Sequence, residues 1–327
     1  MKQIETYIIT QDDEGTRLDR ILKRIMPEVP VTLFQKMLRK KDIKLNGGKA
    51  EGGAKVVKDD VVTYPESLLS LDNQKPEKVV KTVSKSDEKF LKSLILYEDK
   101  KIIVINKPFG LAVQGGSGIS RHIDGLLDSL VNEEGKKPHL VHRLDRDTSG
   151  VMVLAKDVNS AAKLSKCFKE RKIKKIYWAV VDGVPKIDSG RIDLNIDKTT
   201  DSLKEKMAPD EDGKKAVTYY NVISTAGTKA AWLELLPLTG RKHQIRVHLA
   251  AIGNPIIGDG KYGGKMDIPQ QIDKKLHLHA RAIKISGFAK KDIDVIAPMP
   301  EHLKKTFDVL GFYEEDAGKD PFLRLVK

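Results

Sequence analysis

The stretch His142-Arg143-Leu144-Asp145-Arg146-Asp147-Thr148-Ser149-Gly150 leads directly into the apolar run Val151–Ala155. The apolar run predicts a strand, and the Thr-Ser-Gly that precedes it predicts a turn. Two arginines flank the first aspartate of the stretch, Asp145. Such flanking is expected where a carboxylate must stay ionised beside an anionic partner. Asp145 and Asp147 are therefore the first candidates for chemistry.

Three kinds of site compete for these residues. A calcium loop would use Asp145, Asp147 and Ser149, but it needs a bidentate carboxylate at the position occupied by Lys156. A metal-dependent phosphatase also uses two carboxylates at this spacing, to hold magnesium beside a phosphoryl group. The further carboxylates that such an enzyme needs are not apparent. The third interpretation is an ordinary polar turn, and the residues alone leave the last two open.

The composition favours a polyanionic partner. The chain has 327 residues, with 59 Lys and Arg against 46 Asp and Glu, which gives a formal charge of +13. This excess raises the expectation of nucleic acid. The single cysteine, Cys167, excludes an intramolecular disulfide and a cysteine-based metal cluster. No run of 18 apolar residues occurs, so we expect a soluble cytoplasmic protein without membrane contact.

Residues 1–65 predict a small α+β domain. Apolar residues at helical spacing predict one helix over Leu18–Ile25 and a second over Leu33–Leu38. A strand then ends in Asn46-Gly47, a strong hairpin signal. From 36 to 49 the chain carries six basic residues and one acidic residue. The basic residues singled out as candidate contacts with a polyanion are Arg39, Lys40 and Lys41.

Residues 66–92 and 93–327 are expected to form a linker and a larger domain. The linker segment mixes Lys, Glu, Asp, Ser and Pro with few large apolar groups. The larger domain contains many predicted strands and few intervening helices. This order favours an α+β fold with a mixed, mainly antiparallel sheet over repeated βαβ units.

One predicted helix in the larger domain carries an arginine on a mainly apolar segment. Thr239 is placed to cap this helix and Gly253 to end it, and Arg246 lies between them. Two histidine pairs invite comparison with zinc sites, but no third ligand at suitable spacing accompanies either pair. We expect structural roles for these four histidines: His243, His248, His277 and His279.

The string H-R-L-D-x-D-T-S-G resembles the signature of the RluA-type pseudouridine synthases. Three further segments match motifs of that family in the family's order: Asn106–Gly110 (N-K-P-x-G), residues 175–179 (K-x-Y-x-A) and residues 239–264. The Gly-Gly-Ser-Gly at 115–118 resembles the RluC branch. Residues 12 to 64 resemble the S4 RNA-binding domain in their order of helices, strand and Asn-Gly turn.

The resemblance implies an enzyme that isomerises uridine to pseudouridine in RNA, most simply in large-subunit ribosomal RNA. It implies a mixed, largely antiparallel sheet with a basic cleft across its middle, and a reaction that needs no cofactor and no metal. It places the essential carboxylate at Asp145, its paired arginine at Arg246 and an active-site tyrosine at Tyr177. Whether the carboxylate acts as a nucleophile or removes a sugar proton is left open.

The resemblance also implies how RNA is held. Arg143 matches the residue that enters the RNA where the flipped base has left, and a planar guanidinium can stack there. Lys107 of the N-K-P run is expected to contact RNA as well. Lys and Arg of the S4-like segment would position RNA through its phosphates. We expect a monomer. The alternative is a catalytically inert S4-type RNA-binding or ribosome-assembly protein.

Overall fold

The computed structural model describes residues 4–27, 29–70, 85–116, 118–131, 135–199, 206–263 and 269–322. The chain divides into two compact units, residues 1–82 and 83–327, and each is described by itself. Within the ranges given, no helix is long and apolar enough to cross a bilayer.

The N-terminal unit is a small antiparallel sheet with helices. Its strands lie in the order β1-β3-β2. Its elements are β1 (Ile4–Ile8), α1 (Leu18–Ile25), α2 (Val31–Lys40), β2 (Lys44–Leu45), β3 (Val61–Pro65) and the short α3 (Ser67–Ser70).

Local sequence explains this unit. Leu18, Ile21 and Leu22 of α1 are fully buried, as their helical spacing predicts. Asn46 and Gly47 both have positive φ angles, 51° and 74°. Because a two-residue hairpin turn of this kind requires positive φ at both central residues, the Asn-Gly pair determines where β2 turns back.

Both ends of the segment expected to be a linker, residues 66–92, form helices. Leu68 of α3 is buried in the core of the N-terminal unit. At the other end, the helix α4 (Lys85–Ser93) buries Leu91 in the core of the larger unit. The helices form there because each carries an apolar residue that packs into a core. Residues 71–84, the middle of the expected linker, lie outside the described residues.

The larger unit contains twelve described strands and, with α4, five helices. The strands are β4 (Ile95–Glu98), β5 (Ile102–Lys107), β6 (His139–Leu140), β7 (Ser149–Ala155), β8 (Ile173–Asp182), β9 (Ser189–Asp193), β10 (Ile196–Lys198), β11 (Met207–Pro209), β12 (Val217–Ala226), β13 (Ala230–Pro237), β14 (Leu278–Ile285) and β15 (Ile293–Ile296). The remaining helices are α5 (Ile123–Leu126), α6 (Val158–Lys169), α7 (Gln244–Ala251) and α8 (Glu301–Leu310).

Ten of these strands form one sheet. The main path is β4-β5-β7-β14-β8-β13-β12-β9, while β15 pairs with β14 and β6 pairs with β7. The pairing of β7 with β14 is parallel, and the other described pairings are antiparallel. The prediction of a mixed, mainly antiparallel α+β fold is confirmed. Strands β10 and β11 pair separately.

The middle of the sheet is buried on both faces. Along β8, Tyr177 and Ala179 belong to one core cluster, whereas Trp178 and Val180 belong to another. The second cluster is closed by α8, whose Phe307 packs on the indole of Trp178 with ring centroids 6.3 Å apart. Both faces of the sheet are therefore covered in its middle, and core side chains pack on each of them.

Three central strands align at Gly150. Gly150 of β7 pairs with Ala280 of β14, and Ala280 pairs on its other side with Tyr177 of β8. Gly150 has a φ of +108°, and a Cβ there would lie 2.2 Å from the carbonyl oxygen of Ala280. Only glycine permits this approach. The Asp145 loop therefore enters the sheet with one strand, β14, between its entry point and Tyr177.

Replacing Gly150 with alanine is expected to lower the free energy of unfolding by about 3 kcal/mol, because positive φ and backbone overlap both oppose the methyl group. Thermal and urea unfolding of the variant measure this loss. The matched control is Gly227→Ala, since Gly227 also has positive φ but has nothing within 4 Å of its Cβ position. It should cost about 1 kcal/mol. Equal losses in the two variants would contradict the proposed backbone overlap.

Candidate active site

The Asp145 loop is held by the Asn106–Gly110 segment. The backbone N–H of Gly110 and the ammonium of Lys107 both donate to the carbonyl oxygen of Arg146, each at 3.0 Å. The backbone N–H of Thr148 closes the turn by donating to the carbonyl oxygen of Asp145 at 3.1 Å. Two motifs that are distant in sequence thus form one hydrogen-bonded loop pair.

The position of Lys107 contradicts its expected contact with RNA. The residue is 0% exposed, and its ammonium also donates to the carbonyl oxygens of Pro108 and Leu111 at 3.0 and 2.8 Å. Burial lowers the pKa of Lys107 to about 7, against the opposing effect of Asp147 and Asp145. A side chain with all three donors directed to internal carbonyls positions the loop instead of reaching a phosphate.

Two polar residues next to the aspartates also support the loop. The ring Nε2 of His142 accepts a hydrogen bond from the backbone N–H of Val153 at 2.9 Å. Burial lowers the pKa of His142 to about 3, so the ring is a neutral acceptor. The hydroxyl of Ser149 lies 2.9 Å from Nδ1 of His279 on the neighbouring strand β14.

Helix α7 begins later than the sequence suggested. It starts at Gln244, with His243 preceding it at a φ of 55°. The Thr239 hydroxyl does not cap the helix: it accepts from the backbone N–H of Val217 at 3.0 Å and donates to the side-chain oxygen of Gln244 at 2.6 Å. Thr239 thereby ties the loop to β12, which is a tertiary contact that helical spacing cannot reveal. Gly253 follows the helix with a φ of +86°, as expected.

Arg246 of α7 lies between two carboxylates. Its Nε and Nη2 donate to the two oxygens of Asp259, both at 2.7 Å. Its Nη1 lies 3.5 Å from Oδ2 of Asp145. The arginine side chain is 8% exposed and that of Asp259 is 0% exposed, whereas Asp145 keeps 21% of its side-chain surface. One buried cation thus joins a buried carboxylate to one that solvent can reach.

Asp259 was not among the residues singled out from the sequence. Burial is the largest single effect and raises the pKa of Asp259, but the hydrogen bonds and charge of Arg246, together with the backbone N–H groups of Lys261 and Tyr262, hold that pKa below its usual value. Gly258, the residue before Asp259, lets the loop pass close to the backbone of Lys275. Its φ is +77°, and a Cβ at this position would lie 1.8 Å from the carbonyl oxygen of Lys275. The sequence signal that could have identified Asp259 is its place in a Gly-Asp-Gly loop shortly after the helix that carries Arg246.

Tyr177 lies in the core below the site. It is 9% exposed and packs with the apolar cluster of the sheet. Burial raises the pKa of Tyr177 far above its usual value, and the nearby charge of Asp145 raises it further. The side chain is therefore a neutral phenol, and its ring is the group it can offer to a ligand.

His243 is a further group at the site. Its Nε2 lies 3.9 Å from Oδ2 of Asp145, and its Nδ1 lies 2.7 Å from the hydroxyl of Tyr262. The ring of Tyr262 also faces the guanidinium of Arg246, with 5.1 Å between Cζ and the ring centroid. His243 entered the sequence analysis only as one member of a histidine pair.

The other candidate RNA contacts are exposed cations. Arg143 is exposed and makes no hydrogen bond or ion pair with the described residues. Arg39, Lys40 and Lys41 belong to the N-terminal unit, where they are exposed at the end of α2. They remain predictions.

The other paired histidines are held by internal hydrogen bonds. Nδ1 of His248 lies 3.0 Å from the hydroxyl of Thr218, and Nε2 of His277 lies 2.7 Å from that of Thr306. His279 is the partner of Ser149. Over the ranges that the structure describes, no group of three or more His, Cys, Asp or Glu side chains could hold a metal ion.

The chain is similar to known proteins over most of its length. Residues 101–251 match the family model described as RNA pseudouridylate synthase. The chain is 37% identical to the ribosomal large subunit pseudouridine synthase C of Rickettsia bellii, over 89% of this chain and 97% of that protein. It is 32% identical to the mitochondrial RNA pseudouridine synthase 4 of Arabidopsis thaliana, over 94% and 82% of the two chains.

A solved structure gives the same result. Human RNA pseudouridylate synthase domain containing 4 matches with a TM-score of 0.59 and 31% identity, over 69% of this chain and 97% of that chain. The fold and site therefore define an RNA-modifying isomerase. The chain belongs to the RNA pseudouridylate synthase family, in agreement with the resemblance found in its sequence.

Asp259→Asn tests the buried ion pair. Removing one charge leaves Arg246 without its main partner, so the variant should lose about 3 kcal/mol of stability and should lose activity. The folded-state pKa of Asp259 is lowered, and the unfolded value is about 3.9. The stabilisation is thus complete above about pH 4 and is lost as pH falls through the folded pKa. Urea unfolding should be measured from pH 3 to 8. The difference in free energy of unfolding between wild type and variant should become smaller only at the acid end of this range.

Proposed function

We propose that this enzyme isomerises specific uridines to pseudouridine in large-subunit ribosomal RNA. The observation that carries the proposal is the partly exposed carboxylate of Asp145, 3.5 Å from the buried guanidinium of Arg246, in a chain of this family. The name of the Rickettsia relative supports the ribosomal substrate. Action on ribosomal RNA supports a cytoplasmic location. We also propose that the enzyme acts as a monomer.

In the proposed reaction the bond between ribose C1′ and uracil N1 breaks, the base turns, and a bond forms between C1′ and C5. The proton on C5 is lost and N1 gains one, so no group donor is consumed, no oxidation state changes, and no cofactor is required. Asp145 is the essential carboxylate, as nucleophile or as acceptor of a sugar proton. Arg246 holds this carboxylate in place, with its Nη1 3.5 Å from Oδ2.

A paired uridine cannot reach Asp145 unless it leaves the base stack, which costs a few kcal/mol. We assign Arg143 to the space that the base vacates, because its guanidinium is exposed, is not committed to a described partner and can stack on bases. Tyr177 would then pack against the flipped uracil. As a neutral phenol it adds no charge to the reacting base.

The N-terminal unit is proposed to hold RNA as an S4-like domain. Its order of helices and strands and its Asn-Gly turn support this assignment. Its exposed cations at the end of α2 would contact phosphates rather than read bases. An inert RNA-binding protein is the competing function, and the presence of Asp145, Tyr177 and Arg246 opposes it. A metal-dependent phosphatase is a further alternative that chelation can test.

The deciding experiment uses protein-free, unmodified large-subunit ribosomal RNA, with no added metal or cofactor and with a strong chelator in a parallel reaction. Purified enzyme and its Asp145→Ala variant are incubated with the RNA, and pseudouridine is mapped along it. We expect pseudouridine at discrete positions with the wild type, in both the presence and the absence of chelator, and none with the variant. RNA bound by both proteins but modified by neither would overturn the ribosomal assignment.

Replacing Arg39, Lys40 and Lys41 with alanine should raise KM and leave kcat little changed, because these residues would contribute to binding and not to chemistry. If each contacts a phosphate, the slope of log affinity against log salt should fall by about 2 to 3. The matched control removes three exposed lysines of the larger unit, Lys290, Lys291 and Lys304. Equal slopes for the two triple variants would show that only overall charge matters.

A further inference from the structure

A chain of two hydrogen bonds ends at a ring whose Nε2 lies 3.9 Å from the carboxylate proposed to react. The backbone N–H of Met207 donates to the hydroxyl oxygen of Tyr262 at 3.0 Å. That hydroxyl lies 2.7 Å from Nδ1 of His243. On the other side of the ring, Nε2 lies 3.9 Å from Oδ2 of Asp145. A backbone amide on β11, a phenol and an imidazole are therefore connected in series to the proposed active site.

This chain determines which ring nitrogen carries the proton. The amide of Met207 can only donate, so the hydroxyl proton of Tyr262 has one described acceptor, Nδ1 of His243. If Nδ1 carried a proton instead, the hydroxyl would receive two hydrogen bonds and its own proton would have no described acceptor. Since a neutral imidazole has one donor and one acceptor nitrogen, the proton of His243 is on Nε2.

The ring is neutral at physiological pH. Burial lowers the pKa of His243 to about 4; the charge of Asp145 opposes this shift, whereas Arg246 and two lysines add to it. The lysines are Lys242 and Lys261. Burial also raises the pKa of Tyr262, so the phenol keeps its proton. The Nε2–H group is thus a donor that brings no second positive charge into the site.

Both groups that approach the carboxylate of Asp145 do so at the same oxygen. Nη1 of Arg246 lies 3.5 Å from Oδ2, and Nε2 of His243 lies 3.9 Å from it. Among the described residues Oδ1 has no such partner. Hydrogen bonds at an active site are commonly long in the free enzyme and shorten when substrate binds. A carboxylate held through Oδ2 in this way directs Oδ1 to the uridine.

We propose that His243 is a positioning residue of the isomerase, whose Nε2–H donates to Oδ2 of Asp145 and whose tautomer is set by Tyr262. It complements Arg246 by fixing the plane of the carboxylate, so that one oxygen faces the ribose and uracil of the flipped uridine. This assignment rests on the proposed function of Asp145. The tautomer of His243 can nevertheless be measured without any RNA.

The first test is nitrogen NMR of the full-length enzyme with ¹⁵N-labelled histidine, in which His243 among the 8 histidines is identified by its loss in His243→Gln. At pH 7 we expect a protonated Nε2 and an unprotonated Nδ1. In Tyr262→Phe the preference should weaken towards a mixture of the two tautomers. An Nδ1–H tautomer or a charged ring in the wild type would overturn the proposal, whatever the activity on RNA.

The second test compares His243→Leu with His243→Gln. Leucine removes the donor, so kcat should fall about 10- to 100-fold with little change in KM, since a hydrogen bond to a charged group has about that effect on a rate. Glutamine can donate from its amide and should recover part of the loss. Thermal unfolding checks that both variants are folded. A leucine variant within twofold of wild type, or a folded glutamine variant no better than leucine, would contradict the positioning role.

The pair His243 and Tyr262 should also act as a unit. Tyr262→Phe should lower kcat less than His243→Leu, because the ring of His243 stays and only its tautomer preference is lost. In the double variant the two losses should not add. Additive losses would show that Tyr262 affects the reaction independently, for instance through Arg246. Failure of wild type to modify ribosomal RNA, with the expected tautomer present, would reject the substrate and leave the hydrogen-bond assignment standing.

Discussion

The buried guanidinium of Arg246 is the interaction on which the rest of the site depends. A cation that is almost removed from water must be paired, and breaking such a pair by removing one partner is strongly destabilising. Asp259 makes both of the short hydrogen bonds to it, so the arginine is positioned before any RNA arrives. Asp145 occupies the remaining side at a longer distance and keeps solvent contact. The carboxylate proposed to react is thus held by a group whose own position it does not determine.

The sheet explains how the Asp145 loop and Tyr177 are brought to one site. Strand β14 lies between β7 and β8 and aligns Gly150 with Tyr177 through Ala280, which places the Asp145 loop beside the tyrosine. The Lys107 ammonium anchors the same loop from below through the Arg146 carbonyl. These contacts are made by backbone and by buried side chains. The site therefore needs little rearrangement to present its carboxylate, which is the condition for preorganised catalysis.

The sequence predicts those parts of the fold and site that depend on local signals, and it does not predict those that depend on tertiary contacts. Helical spacing located α1, and an Asn-Gly pair located the hairpin turn, because both signals are local. Lys107 was misjudged because a positive charge in a sequence does not report its exposure, and three carbonyl oxygens from separate segments accept its protons. Asp259 and the start of α7 were missed because both depend on tertiary contacts, with Arg246 and with β12.

The charge at the centre of the site is not that of the whole chain. Asp145 and Asp259 share one described ion-pair partner, Arg246, while His243 and Tyr177 are neutral. This group carries one net negative charge, although the chain has a formal charge of +13. Attraction for RNA must therefore come from cations outside this group. Keeping the cations that attract RNA away from Asp145 has a chemical advantage. Strong positive charge beside Asp145 would hold the carboxylate in ion pairs and make it less reactive towards the uridine.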